Sequence, residues 1–94
     1  IVADETDFFF FFRQMAAKET DDAMISEAKN YFKTKCFTSE QVKNLSALFL
    51  NDENKYKFFD AAYSYVSDAD KFSALQSEIK DEYYINRFRA MLRN

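Results

Sequence analysis

The sequence predicts an all-α fold, a compact bundle of about six short helices arranged as three helical hairpins in a single domain over residues 1–94. Three observations carry this expectation. The chain has no glycine and no proline, so tight β-hairpins lose their preferred turn residues and helices joined by polar caps are favoured. Apolar residues recur at helical spacing along most of its length. Polar residues that cap helices well, Thr20 and Thr38 above all, stand just before those periodic stretches.

The stretch from Asn51 to Val66 reads as the central helix. Tyr56, Phe58, Phe59, Ala62, Tyr63, Tyr65 and Val66 cover about half of its circumference, wider than the apolar stripe of a surface helix. Such a helix needs neighbours on two sides. Glu53, Lys57, Asp60, Ala61 and Ser64 are left for water.

The first helix is predicted to start between Asp4 and Thr6 and to run to about Ala17, with Phe8, Phe11, Phe12, Met15 and Ala16 on one face. Phe9 falls at the edge of that stripe. Phe10 falls on the far side, with Arg13, Gln14 and Ala17, and is the residue the helix does not explain. It reads either as a second packing partner or ordinary surface Phe, or as an interface anchor. A run of five Phe also suits a strand, but no second strand is evident to pair it.

Thr20, Asp21 and Asp22 open a second helix to about Lys35, with Met24, Ile25, Ala28, Tyr31 and Phe32 inward. Thr38 and Gln41 form a capping box, and Phe37 with Val42 a hydrophobic staple, so a third helix starts there. Its stripe is Val42, Leu45, Leu48 and Phe49. Ser67 followed by Asp70 is expected to cap a fifth helix with Phe72, Leu75 and Ile79 inward, and a break at Lys80 and Asp81 precedes a last helix carrying Tyr84, Ile85, Phe88, Met91 and Leu92. The segments Met15–Phe32, Phe49–Val66 and Ile79–Leu92 are loosely alike, each an apolar anchor, a short polar turn and an aromatic-rich helix.

Composition limits function. Twelve Phe and six Tyr supply the apolar area for a core without disulfides. The net charge is −3 with both signs spread along the chain, so nucleic acid is not an expected partner. No apolar run approaches the length needed to span a membrane, and Phe8–Phe12 is far too short. The chain begins at Ile1 without an initiator Met, so a trimmed or processed product is expected.

The absence of Gly removes glycine-rich phosphate loops and the nucleophile elbow, and the absence of His removes Ser-His and Cys-His pairs. Glu78, Asp81 and Glu82 read as solvated helix ends, against a glycosidase-like carboxylate pair. Asp68 and Asp70, or Asn51, Asp52 and Asn54, read as caps, since a calcium loop would need its central Gly. Cys36, between Lys35 and Phe37, reads as a small buried hydrophobe, with a thiolate favoured by nearby positive charge as the alternative. Lys55 projects into the apolar arc in the first turn of the central helix, where a cation opposes the dipole. It calls for a carboxylate partner or an escape to solvent, as a structural or ligand-reading lysine.

The stretch Gln41–Phe72 resembles the bacterial family known as domain of unknown function 4476, through Gln41, Val42, Leu45, Leu48, Phe49, Lys55, Ala62, Tyr63, Val66, Asp68 and Phe72. The flanks, Phe12–Phe37 and Ile79–Leu92, are compatible with it. The resemblance implies a short all-helical domain, often in exported or envelope-associated proteins, with no established activity. Family members commonly carry Pro or Gly in the connections and a Phe-Ser type turn after the third helix, where Leu50, Asn51 and Asp52 stand here.

The expectation is a non-enzymatic protein-interaction or structural module without a cofactor or metal, with a protein partner or self-association. Phe9, Phe10, Tyr65 and Tyr83 are its contact residues, because periodicity leaves them at or beyond the buried faces. The alternative is a helical domain enclosing a small apolar, lipid-like ligand.

Overall fold

Asp4, Thr20, Thr38 and Asn51 each end an extended or turning segment and begin a helix, because each side chain accepts an amide N–H that the helix itself leaves free. Asp4 takes the N–H of Asp7 at 2.8 Å, Thr20 that of Ala23 at 3.1 Å, Thr38 that of Gln41 at 3.1 Å and Asn51 that of Asn54 at 2.8 Å. The computed structural model describes residues 2–93. Its α-helices are α1 (Glu5–Ala16), α2 (Asp21–Phe32), α3 (Ser39–Ser46), α4 (Asp52–Ala62) and α5 (Glu82–Arg93), with a 3-10 helix (Ala69–Glu78) before α5. These are the six helices of the predicted bundle, and among the described residues there is no strand.

Three short extended segments gather the hairpin starts at one end. The Ala3 N–H donates to the Cys36 carbonyl at 2.8 Å and the Ser67 N–H to the Phe37 carbonyl at 2.9 Å. Single parallel bridges join Val2 to Cys36 and Phe37 to Val66. Each segment leads directly into a helix, so α1, α3 and the 3-10 helix begin side by side. Contacts elsewhere gather the starts of the return helices: Asn54 Nδ2 donates to Asp21 at 2.7 Å, and Asp52 accepts the amides of Lys80 and Asp81 at 3.0 and 2.7 Å. The three hairpins thus share a pattern, which the loose recurrence in the sequence anticipates.

Helix α4 is central, packing on α2, α3 and α5, while α1 packs chiefly on α2. Adjacent residues of α4 divide the core between them. The Phe58 ring meets Phe32 of α2 at 6.2 Å and Phe49 after α3 at 5.0 Å; the Phe59 ring meets Phe72 at 6.0 Å and Phe88 of α5 at 5.7 Å. Both are fully buried, in one cluster running from Ala3 to Met91. Truncating either ring would cost about 3–5 kcal/mol.

The structure corrects three boundaries. The central helix stops at Ala62 rather than Val66, passing through a 3-10 turn at Tyr63–Tyr65 into extended Val66. Helix α2 ends at Phe32 rather than near Lys35, where Thr34 Oγ1 donates to the Tyr31 carbonyl at 2.8 Å. The fifth helix is 3-10, with Phe72 and Leu75 three residues apart on its buried side, a spacing that matches three residues per turn. Ser67 does not cap it: Asp68 holds the N-terminal position and turns its carboxylate to Ser39 instead.

Candidate functional site

Of the twelve Phe, only Phe9 and Phe10 are exposed, at 63% and 55%. Both lie on α1, whose other side is fixed by Phe11 and Met15, fully buried against the core. A helix that turns about 100° per residue cannot bury four consecutive residues against one neighbour, so committing Phe11 inward carries Phe9 and Phe10 outward. Phe10 keeps an inward ring contact, an edge-on approach to the Tyr31 ring at 6.0 Å. Phe9 approaches Phe8 edge-on at 6.1 Å. Together with Thr6, Arg13 and Gln14 the two rings line an open cleft of about 470 Å³ on the outside of α1.

The helix carrying this face is firmly placed. The reciprocal cap of Asp4 and Asp7 closes its first turn, and Lys35 Nζ lies 2.6 Å from Asp7. That hydrogen bond from Lys35, with the Asp4 amide adding to it, holds the Asp7 carboxyl below its ordinary value. Gln41 Nε2 also donates to the Ala3 carbonyl at 3.0 Å, tying the approach to α1 onto α3. Beneath the patch, burial first and Glu27 second push the Tyr31 hydroxyl's pKa up.

Tyr65 and Tyr83 are also exposed, at 41% and 58%, but the structure does not join them to the Phe9–Phe10 cleft. Tyr65 stacks on Phe32 at 5.9 Å. Tyr83 sits at the start of α5, where its hydroxyl accepts from Arg87 at 3.2 Å. The Arg87 guanidinium lies 5.0 Å from the centre of the Tyr56 ring and 5.8 Å from that of Tyr83. Hydrogen bonding to Tyr83, then Tyr56, raises its pKa further. Tyr56, Asp60, Tyr63, Arg87 and Met91 line a second open groove, of about 410 Å³, between α4 and α5. The sequence reading missed this arrangement, although Tyr83 and Arg87 stand four residues apart, a spacing that places them together on a helix. It also missed Leu50, 94% exposed in the turn between α3 and α4.

Lys55 makes no ion pair among the described residues; its Nζ lies 3.5 Å from the Glu78 carbonyl, at the C-terminal end of the 3-10 helix, where positive charge is favoured. Cys36 is half-buried rather than buried, and the neighbouring Lys35 ammonium is engaged by Asp7. Asp81 accepts the Tyr83 amide at 2.8 Å, and Glu78 approaches only the Ser77 hydroxyl at 3.4 Å. Among the described residues no cluster of His, Cys, Asp or Glu gathers to hold a metal, and no helix is long and apolar enough to cross a membrane.

A family model described as a domain of unknown function, DUF4476, matches residues 3–92. No curated protein and no solved structure matches the chain.

Proposed function

The chain belongs to the DUF4476 family of domains of unknown function, and from that premise we propose that it is a non-enzymatic helical interaction module that self-associates through the outer face of α1. One observation carries the reading. In a chain that places its other Phe in or against the core, two neighbouring rings stand in solvent on a helix held firmly from behind. Large rigid side chains of this kind supply contact area at small entropic cost, and they dominate the energetics of interfaces.

Covering the exposed part of each ring removes on the order of 100 Å² from water, or about 2.5 kcal/mol per ring. Two copies contribute roughly 10 kcal/mol gross against an association cost of about 4–15 kcal/mol. The assembly is therefore weak and depends on concentration. A role within an exported bacterial protein rests on the family resemblance alone and belongs to the same proposal.

The test is a dilution series followed by amide NMR. Shifts that move with concentration and are confined to residues 5–14 support the reading. Shifts absent or spread evenly over the chain contradict it, and a co-purified lipid found by native mass spectrometry would then favour an apolar-ligand domain.

A further inference from the structure

Resting on that reading, we propose that the second copy lies antiparallel on α1 about a twofold axis at Phe9, with Glu5 of each copy facing Arg13 of the other. Glu5, Phe9 and Arg13 follow one another at i, i+4 and i+8 along one ridge of α1, beside the ridge of Thr6, Phe10 and Gln14. Glu5 and Arg13 are both exposed, and neither has an ion-pair partner among the described residues. The opposite charges therefore flank the exposed aromatic pair, separated by about 12 Å of helix.

Charge decides the direction of pairing. A parallel second copy would set Glu5 against the second copy's Glu5 and Arg13 against its Arg13, two like-charge contacts. The antiparallel copy converts both into attractive contacts and keeps the Phe9 and Phe10 rings of the two helices at the centre. A twofold axis makes the surface self-complementary and leaves no face open for a third copy, so assembly closes at a dimer. Such rim charges contribute more to register and specificity than to affinity.

Charge reversal tests this by sedimentation equilibrium. Glu5→Arg and Arg13→Glu each place like charges together at two symmetric points, and each is expected to weaken the dimer about tenfold. The double variant Glu5→Arg with Arg13→Glu restores both contacts and is expected to return to wild-type association. An equimolar mixture of the two single variants is expected to form a heterodimer stronger than either homodimer. Circular dichroism separates these effects from loss of α1, since Glu5 also complements the helix N-terminus. A double variant no stronger than the singles, or a mixture no stronger than its components, would overturn the antiparallel register. If single reversals leave the dimer unchanged while Phe10→Ser abolishes it, this pairing fails but self-association through α1 stands.

Discussion

Asp68 Oδ1 accepts two hydrogen bonds from Ser39, the backbone N–H at 2.7 Å and the side-chain hydroxyl at 2.9 Å. Ser39 is the first residue of α3 and is buried, so its amide has no partner within its own helix. One carboxylate thus satisfies the start of α3 and fixes the start of the 3-10 helix beside it. Asp68→Ala is expected to cost about 2–3 kcal/mol, because two donors lose a charged acceptor. Asp68→Asn, which keeps one acceptor oxygen, is expected to cost about half as much. Urea unfolding midpoints at constant slope measure both, and an alanine variant within about 0.5 kcal/mol of wild type would contradict the role.

Phe10 and Phe11 are neighbours with opposite fates. Phe11→Ala empties a fully buried site with ring contacts to Tyr31, Phe32 and Phe37, and is expected to cost about 3–5 kcal/mol. Phe10→Ser loses one edge contact to Tyr31 and is expected to cost less than about 1 kcal/mol of monomer stability. Thermal unfolding of the two at low concentration checks the contrast. Equal losses would mean that Phe10 is a core residue.

Local signals made much of this legible. The Thr38–Gln41 capping box acts over three residues, and both of its hydrogen bonds are present. Phe9 and Phe10 could be placed outside because the periodicity of α1 is set by residues within two turns of them. What could not be read comes from partners far along the chain. Asp68 reaches Ser39 across 29 residues, and the Ser67 N–H is held by the Phe37 carbonyl across 30, so the 3-10 helix starts one residue later than the local pattern suggests. Lys55 meets a carbonyl 23 residues away, which no pattern of side chains announces. Tyr65 and Tyr83 are exposed, but which exposed aromatics share a face depends on the order of helices in space.

Asp7 and Lys35 give a pH dependence of known sign. The folded pKa of Asp7 lies below its ordinary value of 3.8, chiefly through the hydrogen bond from Lys35. Stabilisation from a depressed carboxyl is present above the unfolded pKa and is lost as pH falls through the folded one. Wild type is therefore expected to exceed Asp7→Asn in stability near neutral pH, with the gap closing in acid below the ordinary value. Paired urea titrations at the two conditions check this; a gap that widened in acid would contradict it.

Asp52 and Lys55 both tie the first turn of α4 to the connection before α5. Asp52→Ala frees two amides and is expected to cost about 1–2 kcal/mol and to speed hydrogen exchange at Lys80 and Asp81. Lys55→Met loses a single contact at 3.5 Å while keeping the apolar stem, and is expected to cost less than about 1 kcal/mol. A loss above about 3 kcal/mol for Lys55→Met would show that the ammonium holds the helices together far more strongly than this geometry allows.

The most direct test of self-association through α1 is size-exclusion chromatography with light scattering, run over a concentration series on wild type and on Phe10→Ser. The expected result is a wild-type mass that rises from monomer towards dimer with concentration, and a well-folded Phe10→Ser chain that stays monomeric throughout. Two well-folded monomers at every concentration would contradict it, and so would a wild-type dimer that Phe10→Ser leaves intact.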